Sequence, residues 1–226
     1  MDQSRLDIAG DLPQRGIRTQ ALARVIDRAL PETTVSAARR AIARLKDSRF
    51  RKSYFTTFWL ADDREPQHDV ERAVRALSKR ARPRNCTGAE WWIGRSYTND
   101  VPIEFHFDQD VKLREAGGPL VHPLVSTVLF FNQVRGGQLA VTDAKPGTGP
   151  ATRLQAIKPR RNRYAIFAGD LLHGVLDARG RTPDRKLSGP RGRLRVTLVV
   201  NFWAERPSKV PAFRESKLYR ALAPAR

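Results

Sequence analysis

The sequence contains a single cysteine and lacks the long apolar runs of a membrane protein. With only Cys86, the chain has no second thiol for an internal disulfide, which fits a reducing cytosol. No stretch approaches the roughly eighteen consecutive apolar residues of a transmembrane helix, and residues 1–7 are too charged for a signal peptide. We therefore expect a soluble, cytoplasmic protein without a membrane partner, organised over residues 1–226 as one domain.

Acidic residues are also scarce. The 226 residues include 23 Asp and Glu against 42 Lys and Arg, which gives a formal net charge of +19. Such a charge suggests a nucleic-acid partner or an anionic substrate. Most of the basic residues are arginines spread along the chain, and only residues 179–192 form a dense basic loop. We expect attraction of an anionic substrate more than nucleic-acid binding, which stays open as an alternative.

Hydrophobic periodicity separates a helical N-terminal support region (1–87) from a strand-rich core (88–204) and a C-terminal tail (205–226). Within the core, short apolar segments alternate with loops that contain Gly and Pro, a pattern typical of an antiparallel barrel or sandwich. Two loops, 142–150 and 179–192, are long for a compact domain. The basic loop 179–192 is either disordered or a mobile lid.

Three helices and one strand are predicted before the core. Residues 18–46 carry apolar side chains at helical spacing on both sides of a proline break. This spacing predicts two amphipathic helices, with Thr33 or Thr34 capping the second. The aromatic and Thr-rich segment 53–60 favours a strand, and residues 68–79 favour a third helix.

The candidate site begins with a His-x-Asp pattern in a strand-like segment. In an extended strand, alternate side chains share a face, so His106 and Asp108 project together. A second strand-like segment, far along the chain, supplies another imidazole, that of His173. Two histidines and one carboxylate bind ferrous iron on one side and leave its other positions open. Because a His-x-Asp pattern on a solvated strand edge also arises by chance, its surroundings matter.

The surrounding segments follow a particular order. An apolar strand at 125–132 leads into an Arg-Gly-Gly-Gln-Leu sequence at 135–139. A segment at 158–170 then ends directly before His173, and residues 195–203 form the last strand. This succession resembles the iron(II)- and 2-oxoglutarate-dependent dioxygenases, in particular their prolyl-4-hydroxylase-like branch.

The resemblance covers residues 88–204 and implies a mainly β fold (α+β), a double-stranded β-helix or jelly roll with the N-terminal helices packed on one sheet. It implies Fe(II) held by His106, Asp108 and His173, with 2-oxoglutarate as cosubstrate. The implied reaction is hydroxylation of a C–H bond in an amino acid, peptidyl side chain or natural-product scaffold, with release of succinate and CO2. A nucleic-acid-directed oxygenase and a non-catalytic jelly-roll protein that binds nucleic acid are the alternatives.

The last strand predicts contacts to the cosubstrate. One of its faces is apolar throughout and should pack against helices, so the other face looks into water or a polar cavity. An arginine inside a barrel needs an anion beside it, and the distal carboxylate of 2-oxoglutarate matches the planar guanidinium. The family places a basic residue two positions before a Ser or Thr, which Arg195 and Thr197 match. Arg193 lies on the same face and stays open as an alternative partner.

The resemblance also assigns a cosubstrate contact to a tyrosine ahead of the His-x-Asp pattern. Tyr97 stands nine positions (106 − 97) before the first histidine of that pattern, where its hydroxyl would reach the carboxylate; core packing is the alternative. We interpret Glu104 as a residue of the site's rim. His122 and His68 are interpreted as a loop residue and a residue near a helix start, and Asp170 as shaping a turn.

Overall fold

The computed structural model describes residues 21–45, 56–81, 83–98, 103–177, 179–181, 192–216 and 219–223. Nine strands and three α-helices lie within these ranges. The strands are β1 (Ala23–Ile26), β2 (Phe58–Ala61), β3 (Gly88–Tyr97), β4 (Val125–Phe130), β5 (Gln138–Thr142), β6 (Leu154–Ile157), β7 (Arg163–Ala168), β8 (His173–Leu176) and β9 (Leu194–Trp203). The helices are α1 (Glu32–Ala43), α2 (Asp69–Ala81) and α3 (Val111–Glu115), with 3-10 turns at Phe213–Glu215 and Arg220–Leu222.

The strands form two antiparallel sheets. The larger has six strands in the spatial order β1-β7-β4-β9-β3-β2, and the smaller has three in the order β6-β5-β8. A bridge between His106 and His173 extends the smaller sheet beyond β8. The larger sheet therefore contains the predicted arginine strand, β9, and the smaller one brings both histidines of the predicted metal set together.

The two faces of β9 have different environments. Leu198, Val200 and Phe202 lie in one apolar core with residues of α1 and α2, such as Ile42 and Leu77. The apolar face of the last strand thus packs against helices, as the sequence predicts. Burial of this face fixes the register of β9, because a shift of one residue would move every apolar side chain to the opposite side of the sheet.

The opposite face of the larger sheet looks toward the smaller sheet. Val128 and Phe130 of β4 and Phe167 of β7 pack there against Leu139 and Val141 of β5. Side chains from two facing sheets interdigitate in this way in a β-sandwich. We call the side of the larger sheet that faces the smaller one the inner face.

The segment before α1 is a strand rather than the predicted helix. Ala23–Ile26 pairs antiparallel with β7 at the edge of the larger sheet, and the side-chain oxygen of Gln155 accepts the N–H groups of Leu22 and Ala23, each over 2.8 Å. Four residues are too few for periodicity to separate strand from helix, and the exposed edge of β7 decides the outcome. Residues 18–20 lie outside the described part.

The prediction for α1 itself holds except at its start. The helix begins at Glu32, and the residue before it, Pro31, makes no side-chain capping hydrogen bond. Thr33 and Thr34 therefore lie inside the first turn, and neither is the cap. Proline is well suited to this position because its fixed φ is compatible with entry into a helix.

The predicted third helix is confirmed as α2, and His68 is its N-cap. The Nδ1 atom of His68 accepts the N–H of Glu71 over 3.3 Å, while Gln67 N donates to the Glu71 carboxylate over 2.8 Å. The imidazole is fully buried and packs edge-on against Phe213, with 4.2 Å between ring centroids. This agrees with the interpretation of His68 as a residue near a helix start.

Residues 143–153 contain no helix or strand, as expected, and Asp143 holds them through hydrogen bonds to Thr152 and Arg153. Most of the basic loop, 182–191, lies outside the described residues, so its function as a lid stays a prediction.

The N-terminal support region contributes β1 and β2 to the larger sheet as well as helices. No helix in the described ranges is long and apolar enough to cross a membrane.

Candidate active site

The His106 segment is joined to β8 by backbone hydrogen bonds. His106 N donates to His173 O over 2.9 Å, His173 N donates to His106 O over 3.0 Å, and Val175 N donates to Ile103 O over 3.1 Å. Gly174 makes this close approach possible, because a Cβ atom there would lie 2.7 Å from the ring of Phe105. The two histidines therefore face each other across a strand pair.

Three side chains converge as the sequence predicts. His106, Asp108 and His173 each offer one ligand atom, and these atoms all lie within 4.8 Å of one another. Asp108 lies between the imidazoles, with Oδ1 at 3.6 Å from His106 Nε2 and Oδ2 at 3.5 Å from His173 Nε2. Asp108 and His173 are buried, whereas the His106 side chain is 43% exposed. The cluster therefore opens to solvent on the His106 side.

The two imidazoles have the same tautomer. Nδ1 of His106 lies 2.8 Å from the carbonyl oxygen of Glu104, and Nδ1 of His173 lies 2.9 Å from that of Leu171. A carbonyl oxygen only accepts hydrogen bonds, so each Nδ1 must carry the proton. In the neutral ring Nε2 then has a free lone pair, and both Nε2 atoms face Asp108. Metal-binding histidines are oriented in this way by a partner on the other ring nitrogen.

Asp108 is held in place from two directions. The Ser126 hydroxyl donates to Oδ2 over 2.7 Å, and Nδ1 of His122 donates to the backbone oxygen of Asp108 over 2.5 Å. Its neighbour Asp110 is tied at both carboxylate oxygens, accepting the N–H groups of Leu113 and Ser208. The carboxylate of the candidate ligand set is therefore fixed by the surrounding fold.

The electrostatics of the cluster favour a carboxylate beside imidazoles. Burial alone would raise the pKa of Asp108, but the neighbouring His173 and His106 outweigh it and hold the pKa well below its usual range. Burial lowers the pKa of His173. It also acts to lower the pKa of His106, but the Asp108 carboxylate more than offsets this and the net shift is upward. At neutral pH Asp108 is therefore a carboxylate, and the buried His173 is a neutral imidazole.

The donor set fits ferrous iron. It offers two imidazole nitrogens with fixed lone pairs and one carboxylate oxygen, all on one side of a cleft that opens to solvent at His106. Three protein ligands on one side, with open positions on the other, are characteristic of non-haem Fe(II) sites. Among the described residues, this is the one His, Cys, Asp and Glu cluster with suitable spacing for a metal ion.

Arg195 and Thr197 lie on the inner face of β9, and both are buried. A Cβ atom at Gly137 would lie only 2.8 Å from Arg195 Cδ, so this glycine leaves room for the arginine. The guanidinium carbon lies 5.2 Å from the centre of the Phe130 ring. The Thr197 hydroxyl has no hydrogen-bond partner among the described residues. A buried guanidinium and an unsatisfied hydroxyl side by side suit the distal carboxylate of 2-oxoglutarate.

Arg193, the alternative arginine, precedes β9 and is exposed. Its backbone pairs with Thr98, whose N–H donates to Arg193 O over 3.1 Å. A solvated guanidinium interacts weakly with an anion because water screens the charge. Buried Arg195 is therefore better placed than exposed Arg193 to interact strongly with a carboxylate.

The register of β3 shows on which face of the sheet Tyr97 lies. Tyr97 pairs with Leu194, whereas Ser96 pairs with Arg195 and Gly94 pairs with Thr197. Directly paired residues of an antiparallel sheet point to the same face, so Tyr97 lies on the helix-facing side of the sheet. This register does not favour a contact of its hydroxyl with an anion on the inner face, and the cosubstrate contact of Tyr97 stays a prediction.

Ser126 was not predicted as part of the site. It lies in a mostly apolar strand and is 1% exposed. A hydroxyl on the inner face of a buried strand needs a hydrogen-bond partner, which is the only signal the sequence offers for it. Glu104 is exposed, as the rim interpretation requires, and Asp170 forms an ion pair with Lys145 over 2.8 Å.

Solved structures have a similar arrangement of strands. A prolyl 4-hydroxylase from Phytophthora capsici is 16% identical, with a TM-score of 0.50, over 85% of this chain and 61% of its own. The chain has the prolyl 4-hydroxylase fold. The predicted jelly roll is thereby confirmed. This chain spans about three-fifths of the length of the Phytophthora protein in its solved structure.

Two further structures have lower scores. A prolyl 4-hydroxylase from Pseudomonas putida is 18% identical, with a TM-score of 0.49, over 80% of this chain and 84% of its own. HygX from Streptomyces hygroscopicus, solved with nickel and 2-oxoglutarate bound, is 15% identical, with a TM-score of 0.48, over 85% and 84%. No protein-family model and no curated protein sequence matches the chain.

Proposed function

We propose that the chain is an Fe(II)- and 2-oxoglutarate-dependent dioxygenase that hydroxylates a C–H bond of a small molecule or peptidyl side chain. The observation that carries this proposal is the convergence of His106, Asp108 and His173, together with buried Arg195 and Thr197 on the inner face of β9. The overall reaction converts R–H, O2 and 2-oxoglutarate into R–OH, succinate and CO2, so that its atoms and electrons balance.

Three of these residues would bind the metal, and the other two would bind the cosubstrate. His106 Nε2, His173 Nε2 and the Asp108 carboxylate would hold Fe(II), and Arg195 with Thr197 would bind the distal carboxylate of 2-oxoglutarate. When bound, the iron supplies the redox chemistry by which oxygen and the cosubstrate oxidise an unactivated C–H bond. The protein keeps both imidazoles in the tautomer that leaves Nε2 available, holds the carboxylate through Ser126, and excludes water by burial.

The position of Arg195 limits how the cosubstrate can lie. Its side chain runs beside Gly137 and over the ring of Phe130. Asn201 lies toward the other end of β9. Its partner on β4 is Ser126, which contacts Asp108. A dicarboxylate held by Arg195 at one end would extend along the inner face toward the metal ligands. A fixed anion at one end and a metal at the other orient a small flexible molecule.

Succinate formation without a primary substrate tests this proposal. Oxygenases of this kind would convert some 2-oxoglutarate slowly in an uncoupled reaction, so the parent protein with Fe(II) should release succinate and Asp108→Ala should not. Anaerobic calorimetry should detect one Fe(II) and one 2-oxoglutarate per chain. A parent protein that binds neither would contradict the proposal. A panel of amino acids, peptides and oligonucleotides would then identify the compound that stimulates turnover.

The alternatives have less support. A nucleic-acid substrate rests on the net charge of +19 alone, and binding that disappears with added salt and produces no succinate would indicate only counterion release. A protein that had lost catalysis would not be expected to keep both oriented imidazoles, the carboxylate and the buried arginine. A cytoplasmic location stays a prediction that rests on the single cysteine.

A further inference from the structure

The inner face of β3 is the partly exposed wall of the cleft. Glu90, Trp92, Gly94 and Ser96 share this face, and each keeps part of its surface exposed. On the inner face of β9, Arg195, Thr197, Asn201 and Trp203 are buried, whereas Val199, the partner of Trp92, is partly exposed. A molecule that approaches the metal ligands along the larger sheet would therefore contact mainly these four positions of β3, together with Val199 of β9.

A row of polar side chains connects this wall with the metal ligands. Ser126, which donates to Asp108, pairs with Asn201, and Asn201 pairs with Glu90 on the next strand. All three point to the inner face. Because adjacent strands lie about 4.8 Å apart, Glu90 lies about 10 Å from Ser126 along this row. That distance suits a substrate group separated from the reacting carbon by several bonds.

Glu90 has no cationic partner in the described part of the chain. Its carboxyl accepts hydrogen bonds from the side chains of Thr57 and Trp203, and its charged neighbours Asp108 and Asp110 are both acidic. Burial makes the largest contribution, and together with the two carboxylates it raises the pKa of Glu90 to about 7. Several exposed carboxylates elsewhere have a cationic partner, as Asp27 has in Arg163 and Glu115 in Lys112. In a chain with a net charge of +19, a carboxyl without a cation on a cleft wall is unexpected.

The surroundings of Glu90 suit a cation with N–H groups. The side-chain oxygen of Asn201 is buried and accepts no hydrogen bond from the described residues. Trp59 is the cross-strand partner of Glu90 on β2, and Trp92 lies two residues along β3 on the same face. Tryptophan rings attract cations more strongly than other aromatic rings. A carboxylate, an unsatisfied amide oxygen and an indole are therefore neighbours on the inner face of the sheet.

We infer that Glu90, Asn201 and Trp92 form a subsite that binds an ammonium or guanidinium group of the primary substrate. This inference rests on the proposed function for the reaction and names the substrate class. An ammonium donates to both the Glu90 carboxylate and the Asn201 oxygen, and the face of Trp92 contacts its adjoining methylene groups. The positive net charge favours anions at long range, so a cation would be selected by these local contacts.

Matched pairs of small probes test the inference without knowledge of the full substrate. Butylammonium and butylguanidinium are compared with their uncharged counterparts 1-butanol and butylurea, and binding is followed by tryptophan fluorescence and calorimetry. The parent protein should bind each cation about tenfold more tightly than its counterpart. Equal affinities for cation and counterpart would overturn the inference.

Three variants locate the preference. Glu90→Gln keeps the shape but removes the charge, so the ratio of cation to neutral affinity should fall to about one. Trp92→Leu should weaken the binding of both cations. Glu205→Gln, an exposed carboxyl just beyond β9, removes the same charge outside the cleft and should keep the ratio of the parent. A preference that survives in Glu90→Gln would overturn the inference.

Metal binding separates this inference from the proposed function. Glu90→Gln should still bind one Mn(II) and one 2-oxoglutarate per chain, because Glu90 is not one of the three metal ligands and its β9 partner, Asn201, lies six residues along the strand from Arg195. If the parent binds the metal and the cosubstrate but has no preference for cations, the inference fails and the proposed function stands. If the parent prefers cations but binds no metal, the proposed function fails instead.

Discussion

His106 and His173 are joined by a reciprocal pair of backbone hydrogen bonds, of 2.9 and 3.0 Å, and their rings lie 4.6 Å apart between centroids. Residues paired in this way in an antiparallel ladder present their side chains on the same face. The separation of the two imidazoles is therefore set by the sheet itself. Only Asp108, in the irregular segment after His106, depends on side-chain contacts for its position.

Removal of any one metal ligand should abolish stoichiometric iron binding. His106→Ala, Asp108→Ala and His173→Ala each leave two ligands, too few to hold Fe(II) on one side of the cleft. Anaerobic calorimetry should detect no one-to-one binding in these variants, while circular dichroism retains the spectrum of the parent. Asp170→Asn, next to the site in sequence but paired with Lys145, is the control and should bind iron normally. A ligand variant with the affinity of the parent would remove that residue from the set.

Ser126→Ala should weaken the metal site without destroying it. The hydroxyl donates to Asp108 Oδ2 over 2.7 Å, and its loss leaves a buried carboxylate free to rotate away from the imidazoles. Loss of a partner that orients a ligand typically costs about 10- to 100-fold in metal affinity. Ser126→Thr keeps the hydroxyl and should retain most of the affinity. If Ala and Thr bind Fe(II) equally well, the hydrogen bond has no part in orienting Asp108.

Arg195→Leu should leave iron binding intact and reduce 2-oxoglutarate affinity by about a hundredfold or more, because a buried carboxylate loses its cation. The matched change Arg193→Leu should have little effect, since that side chain is exposed. Tyr97→Phe should also bind the cosubstrate normally, because Tyr97 points to the helix side of the sheet. Titration of the metal-loaded protein with 2-oxoglutarate measures all three. A large loss in Arg193→Leu alone would reverse the assignment.

Two glycines with similar backbones give a sharper test of the arginine's position. Gly137 has φ of +63° and leaves only 2.8 Å between a built Cβ and Arg195 Cδ, whereas Gly147 has φ of +75° and open space around it. Alanine strains the backbone at both positions, but only Gly137→Ala displaces Arg195. It should therefore lower 2-oxoglutarate affinity about tenfold, while Gly147→Ala destabilises the fold without this loss. Equal cosubstrate affinity in both variants would contradict the position of Arg195.

The metal set could be predicted from sequence because its geometry is local on each strand. Alternation places His106 and Asp108 on one face wherever the segment is extended, and the apolar texture before His173 predicts another strand. The faces of β9 were predictable for the same reason. Its continuous apolar side must be buried, which leaves Arg195 and Thr197 on the inner face.

Features that depend on pairing between distant strands could not be predicted. Tyr97 and Arg195 lie on opposite faces because Arg195 pairs with Ser96, and a count of residues to His106 says nothing about this register. A shift of one residue would reverse the result. The contact of Ser126 with Asp108 and the strand at Ala23–Ile26 have the same origin, since each exists only when a non-local partner is in place.

The buried cap of α2 should make the fold sensitive to acid. Burial, reinforced by the nearby charge of Arg72, lowers the pKa of His68 to about 4, against an ordinary value of 6.5. Above pH 6.5 the imidazole is neutral in the folded and unfolded chains, and its contribution to stability is complete. As the pH falls from 6.5 toward 4, the unfolded chain binds a proton that the folded chain does not. Stability should therefore fall over this range, by about 3 kcal/mol at most.

His68→Asn isolates this effect, because asparagine caps a helix well but does not titrate in this range. The loss of ring contacts with Phe213 should lower its stability by a constant amount at every pH. The difference in unfolding free energy between parent and variant should then shrink as the pH is lowered from 7 to 4.5. Urea denaturation across this range gives the two curves. Parallel curves would show that His68 is protonated as readily in the folded chain as in the unfolded one.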